Sequence, residues 1–206
     1  GRAIRFPATD VRVFNSRASV GVRGIKLNGD DTVVSMSIIR HFDATSEERT
    51  AYLKMRRAVA GLADDAEADD EAAGNESISP DRYAEMSAFE DLILTITETG
   101  TGKLSSSHDY PVRGRGGQGV AAMDKSMRGG ALVACFPVSN DDQIMLATST
   151  GQSIRCPING ISFRSRSAGG VKVFNTGQGE IVVSVALVAD QAENDEADDT
   201  AETSDE

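Results

Sequence analysis

One pattern recurs along this chain and limits what it can fold into. Residues 4–7 read Ile-Arg-Phe-Pro and residues 154–157 read Ile-Arg-Cys-Pro, each starting three residues after a glycine, Gly1 and Gly151. Thr97-Glu-Thr-Gly100 and Thr148-Ser-Thr-Gly151 each follow a short apolar run, at 92–96 and 144–147. An arginine lies 15 residues beyond each of these glycines, Arg115 and Arg166, and Gly-Val lies four further on, at Gly119-Val120 and Gly170-Val171. The opening stretch repeats the series with one extra residue, as Gly1, Arg17 and Gly21-Val22. An aromatic residue precedes the arginine by three positions at Phe14 and Phe163; the middle copy has Val112. Gly100 and Gly151 are 51 residues apart, whereas Gly1 and Gly100 are 99 apart. The excess of 48 matches an acidic segment at 41–91 inserted after the first copy.

A repeat near 50 residues is one supersecondary unit stacked on its neighbours. The apolar runs are short and β-rich, at 33–39, 92–96, 131–136, 144–147 and 181–188, and Gly, Asn and Asp clusters separate them. Such runs predict antiparallel strands, about four to a repeat. The expected fold class is all-β, built of propeller-like β-pinwheel blades of four antiparallel strands. A β-sandwich with accidental similarity is the alternative.

The inserted segment breaks the strand pattern. Thr45 and Glu48 form a capping-box signature, and Tyr52, Met55, Val59 and Leu62 fall on one helical face. Ser79-Pro80-Asp81 is a second helix start, followed by Tyr83, Met86 and Phe89. The run at 64–77 is acidic and rich in Ala and Gly, so disorder is expected. Residues 190–206 carry nine carboxylates and no basic group, which predicts a disordered acidic tail. The expected division is therefore 1–40 with 92–189 as a β-pinwheel, 41–91 as a helical acidic insertion placed at a hairpin tip, and the tail.

Charge follows the same division. The net charge is −11, yet residues 1–40 carry +4 and 92–189 carry +3, while 41–91 and 190–206 carry −9 each. A local basic face can hold a polyanion whatever the overall sign. No apolar run is long enough to span a membrane, and Cys135 and Cys156 lack metal-ligand spacing; reduced thiols in a cytoplasmic protein are expected. His41 and His108 have no nucleophile beside them, and no residue reads as catalytic.

Several segments resemble a known family. Gly21-Val-Arg-Gly-Ile-Lys26, with Asp31-Thr-Val-Val-Ser-Met36, is similar to the corresponding stretches in the C-terminal domain of bacterial DNA gyrase A. Thr97 to Lys103, Asp109-Tyr110-Pro111 and Arg115 to Val120 resemble the next repeat of that domain. Gln143-Ile-Met145, Thr148 to Gly151 and the acidic end resemble the last. The resemblance covers about 150 of the 206 residues and omits 41–91. It implies the last three blades of a six-bladed pinwheel that wraps DNA on a basic rim and supports negative supercoiling by an ATP-dependent type II topoisomerase. Arg113-Gly-Arg115-Gly-Gly-Gln118-Gly119 is only a relative of the family's first-blade box, Gln-Arg-Arg-Gly-Gly-Lys-Gly. The insertion departs from the commonest family pattern.

The resemblance implies double-stranded DNA, the rest of gyrase A, and gyrase B as partners, in a heterotetramer at the nucleoid. It implies no cofactor in this chain, with ATP and magnesium handled elsewhere. Equivalent basic positions in the repeat supply the candidate phosphate contacts: Arg5, Arg17, Arg23, Lys26, Lys103, Arg113, Arg115, Arg155, Arg164, Arg166 and Lys172. Arg17, Arg115 and Arg166 have a competing reading, in which they bridge blades through carboxylates or carbonyls. Two other functions remain open: the homologous domain of topoisomerase IV, and a propeller-like protein-interaction module that docks partners on the stripe from Tyr52 to Leu62.

Overall fold

The structure, a computed structural model, describes residues 1–61, 77–124, 126 and 129–188. Leu62, the tail and all but the last residue of the acidic run lie outside the described residues. Among the described residues, nine strands form three antiparallel sheets. Their order along the chain is β1 (Arg2–Ala3), β2 (Leu92–Thr97), β3 (Thr101–Ser106), β4 (Val120–Ala121), β5 (Leu132–Val138), β6 (Gln143–Thr148), β7 (Ser153–Pro157), β8 (Val171–Lys172) and β9 (Val182–Val188). The sheets run β1-β4, β5-β2-β3-β8 and β7-β6-β9.

The repeat explains this order. In the second copy β2 and β3 form a hairpin across Thr97-Glu-Thr-Gly100, and β5 returns on the other side of β2. In the third copy β6, β7 and β9 do the same. Hydroxyls staple both hairpins: Thr97 Oγ1 donates to Thr101 O, and Thr148 Oγ1 to Gln152 O. The Gly-Val stretches of the second and third copies then leave their own sheets and join the preceding one. β8 pairs Val171 with Gly102, and β4 pairs Val120 with Ala3. Two glycines permit this close approach. A Cβ on Gly119, at φ 69°, would lie 2.2 Å from Ala3 O, and one on Gly100, at φ 75°, would lie 2.2 Å from Phe174 O. Neither position accepts a side chain without moving backbone.

A one-turn 3-10 helix follows the second strand position of every copy, at Ala8–Asp10, Ser107–Asp109 and Ile158–Gly160. Pro7 and Pro157, which end the two matching tetrapeptides, are the residues just before two of these turns.

β2 is buried along its whole length. Leu92, Leu94 and Ile96 face a core shared with Leu104, Ile144, Leu146, Ile158 and Val182 of the second and third copies. Ile93 faces the other way, into a smaller cluster with Tyr110, Ala122 and residues of the first copy, including Ala3 and Ile39. A strand packed between two blades is buried on both faces, so its sequence opens Leu-Ile-Leu rather than alternating, and the second face continues with the buried Thr95 and Thr97.

The expected strand at 33–39 is absent. Its place in the repeat is that of β5 and β9, which pair with β2 and β6, but among the described residues no strand lies beside it and it forms no ladder. It stays close to β5, with Ser35 Oγ donating to Cys135 O at 2.6 Å, and Val34, Met36 and Ile38 are exposed.

The insertion occupies the connection that elsewhere is the tight turn 139–142, closed by Asp142 N donating to Ser139 O. Its two ends meet at Arg40, which donates to the Asp91 carboxylate and to the carbonyls of Ala88 and Glu90. Between them lie α1 (Ser46–Val59), with the expected Thr45–Glu48 capping box, and α2 (Pro80–Ala88), capped by Ser79. Tyr52 is fully buried, stacked on Tyr83 at 4.9 Å and edge-on to His108 at 5.1 Å. His108 Nε2 lies 2.9 Å from Met86 O. Of the described residues of the expected stripe, Met55 and Val59 are exposed; on α2 Met86 is buried, while Phe89, just past its end, is not. α1 meets the Ser107–Asp109 turn through Tyr52 on His108, and Arg56 adds a second contact, its guanidinium 4.6 Å from the Phe163 ring centroid. Tyr52 is therefore not open to a docking partner, since the blade already covers it.

Candidate nucleic-acid interface

The sequence points to eleven cations at repeat positions, and the structure divides them. Lys103 is corrected outright: it is 0% exposed, and its ammonium donates to the carbonyls of Ser165, Arg166 and Ala168 at 2.6 to 2.7 Å. It cannot reach a phosphate. Arg5 is half-buried, donating to Ser107 O at 2.9 Å and Arg40 O at 2.9 Å. Burial, and then the nearby Arg49 charge, lower its pKa.

Arg115 and Arg166 take the bridging role. Arg115 Nε donates to Asp10 O at 3.1 Å and its NH1 to Arg23 O at 3.2 Å. Arg166 Nε donates to Asp109 O at 3.0 Å, and its NH1 donates to Ala121 O. The acceptors correspond: Asp10 and Asp109 each lie nine residues after a turn glycine, and Arg23 and Ala121 each lie two after the glycine of Gly-Val. Arg166 has further support, because its backbone N–H donates to Asp109 Oδ2 at 2.6 Å. Burial raises the Asp109 pKa, opposed by that N–H and by the charges of Arg166, Lys103 and Arg57. Lys172 is exposed but donates to Thr99 O at 2.8 Å. Arg164 is half-buried, with its backbone N–H on Leu104 O at 2.7 Å.

Arg17, Arg23, Lys26, Arg113 and Arg155 remain exposed, and among the described residues their side chains have no hydrogen-bond partner. Three of them converge. Gly116 N donates to Gly24 O at 2.6 Å and Lys26 N to Gly117 O at 2.8 Å, so the 23–26 segment lies along the glycine-rich loop 113–119. Arg23, Lys26 and Arg113 are thereby brought to one loop. A Cβ on Gly116, at φ 82°, would touch the Arg23 backbone and stem. Glycine here keeps the loop low beneath that cation.

Arg12 lies outside the expected set. It is exposed, with its guanidinium 4.6 Å from the Phe14 ring centroid. Its counterparts in the other copies are Pro111 and Ser162, so a search through repeated positions passes over it.

A family model described as the DNA gyrase C-terminal domain, beta-propeller, matches residues 1–40, 91–139 and 142–189. The chain belongs to the DNA gyrase C-terminal domain family. The three matched segments contain the three sheet-forming copies, and the match passes over both helices. The chain is 43% identical to DNA gyrase A of Granulibacter bethesdensis over 217 aligned residues, which is 98% of the chain and 23% of that protein. It is 39% identical to DNA gyrase A of Rickettsia bellii over 96% of the chain and 22% of the relative. It thus spans less than a quarter of these two gyrase proteins. The crystal structure of the C-terminal domain of DNA topoisomerase IV covers 91% of the chain and 44% of its own length, with a TM-score of 0.61 at 19% identity, a likeness of fold. The propeller-like architecture expected from the repeat is therefore the architecture found.

Proposed function

We propose that this chain binds duplex DNA without sequence preference and bends it around its blades, as the wrapping part of a gyrase that introduces negative supercoils. One arrangement supports the reading beyond family membership: Arg23, Lys26 and Arg113 stand unpaired among the described residues, on a glycine-rich loop whose backbone lies close to the surface. Cations on a stiff surface attract phosphate whatever the base sequence, and each neutralised phosphate releases counterions. Bending a short duplex costs on the order of 1–6 kcal/mol, which several such contacts offset. On this reading the chain carries out no chemistry itself. Strand cleavage, ATP and magnesium belong to other parts of a cytoplasmic, nucleoid-bound assembly with gyrase B.

The test is a salt titration of binding to plain duplexes of unrelated sequence. We expect a steep, sequence-independent loss of affinity with salt, less steep by about one unit of slope for each of Arg23→Ala, Lys26→Ala and Arg113→Ala. Salt-insensitive binding would sink the reading. Topoisomerase IV function is the second possibility; a supercoiling assay on the complete enzyme separates them, because decatenation without negative supercoiling favours topoisomerase IV.

A further inference from the structure

We propose that Arg115 and Arg166 are positioning residues that fix the angle between successive blades, and so set the curvature the array imposes on a bound duplex. The curvature depends on the DNA-binding reading above; the angle does not.

The same geometry occurs twice. Each guanidinium crosses from its own copy to the one before it and joins two separate segments there. One is the carbonyl at the end of the 3-10 turn, Asp10 or Asp109; the other is the carbonyl two residues after the glycine of Gly-Val, Arg23 or Ala121. A guanidinium is rigid and planar, so two carbonyls bound at its Nε and Nη1 are held in fixed relation to it and to each other. The contacts beside it correspond as well. Arg113 N donates to Arg5 O at 2.8 Å in one boundary, and Arg164 N to Leu104 O at 2.7 Å in the other. Each boundary thus has a short parallel bridge, Arg5 with Val112 or Leu104 with Phe163, and a guanidinium three residues further on. The bridge sets the distance between blades and the fork sets their tilt. Arg17 holds the same sequence position in the first copy, and its exposed side chain has no hydrogen-bond or ion-pair partner among the described residues.

The experiment uses the 206-residue chain with nitroxides at Gln118 and Gln178, both exposed, after Cys135 and Cys156 are replaced by Ala. Distances between the labels are measured by double electron–electron resonance without DNA. We expect Arg166→Ala to shift and broaden the distribution, Arg166→Lys to do the same, and Arg17→Ala to leave it unchanged. Lysine keeps the charge but cannot present two coplanar donors. An unshifted distribution in Arg166→Ala overturns the proposal. So does restoration by Arg166→Lys, because charge and not the fork would then be the requirement.

A second arm uses a short duplex labelled with a fluorophore at each end, with fold retention checked by near-ultraviolet circular dichroism. Arg166→Ala should lower end-to-end energy transfer at saturation while leaving the salt slope of binding unchanged. Arg23→Ala should lower the slope by about one and leave the saturating signal alone. A reduced slope with an unchanged saturating signal in Arg166→Ala would make it a phosphate contact and overturn the proposal. If the unaltered chain fails to bend the duplex, the DNA reading and the curvature fall together, while the electron-resonance arm still decides the angle.

Discussion

The two blade boundaries follow one plan with different chemistry. Between the second and third copies, Lys103 reaches forward into three carbonyls of the 165–168 loop while Arg166 reaches back to Asp109 and Ala121. Between the first and second copies the position of Lys103 is Ile4, whose Cδ1 lies 3.7 Å from where a Cβ on Gly117 would sit, and Arg115 is exposed with only carbonyls as its acceptors. The unpaired cations Arg23, Lys26 and Arg113 gather at this lighter boundary. A guanidinium or ammonium whose hydrogens are engaged by buried carbonyls contributes to stability and is lost to a ligand. One boundary is therefore built for rigidity, and the other keeps its charges available.

The sharpest way to break this comparison is Lys103→Ile, which gives the heavier boundary the residue of the lighter one. Three carbonyls lose a charge-assisted bond; Ser165 O keeps the N–H of Ala168 and Ala168 O that of Asp124, so Arg166 O alone of the three is left without a donor among the described residues, and the loss should be about 3 kcal/mol in a urea titration. A neutral result would mean the ammonium does not hold the boundary. Next in size is the pair Arg166→Ala and Arg115→Ala. Both remove the guanidinium, but only the first also breaks an ion pair, Arg166 Nε with Asp109 Oδ1 at 3.6 Å, so we expect about 2–3 kcal/mol for Arg166 and about 1 kcal/mol or less for Arg115. Equal losses would erase the distinction between the boundaries.

A smaller effect concerns pH and the second copy alone. His108 occupies the middle of the 3-10 turn, where the other copies have Thr9 and Asn159. Its imidazole is enclosed by Tyr52, Phe42 and Met86 O; burial first, and Arg5 among the charges, lower its pKa, against Met86 O, Glu90 and Asp91, which raise it. The folded state thus favours neutral His108. Its contribution is complete above the unfolded value of about 6.5 and is lost as pH falls below it. Thermal melts should therefore decline from about pH 7 to about pH 5.5, and His108→Asn should flatten that decline. The smallest effect is a control: Arg17→Ala should leave stability within about 0.5 kcal/mol, since its side chain is exposed and has no hydrogen-bond or ion-pair partner among the described residues.

Much of the fold was legible because the repeat fixes equivalences that a single strand pattern does not. The hairpin at Thr97-Glu-Thr-Gly100, the Gly-Val positions and both helix starts, Thr45 and Ser79, follow from local chemistry. The interface was less legible. Arg17, Arg115 and Arg166 share a position, yet whether a guanidinium meets a carbonyl or solvent depends on a neighbouring copy across the boundary. Lys103 looks like any surface lysine in sequence; its burial is decided by a loop 62 residues away. The strand at 33–39 fails for a related reason, since β-structure needs a neighbour that the segment itself cannot provide. Arg12 escapes because it lies outside the repeated positions.

The export of the second and third Gly-Val stretches to the preceding sheet has a consequence for how such an array can change over generations. No single blade is a closed unit. Deleting one copy, or cutting between two, leaves one sheet short of a strand and another strand without a sheet, so copy number can alter only where a whole neighbour-to-neighbour handshake is re-formed. New material enters most easily where that handshake is untouched, at a turn such as the one that α1 and α2 now fill.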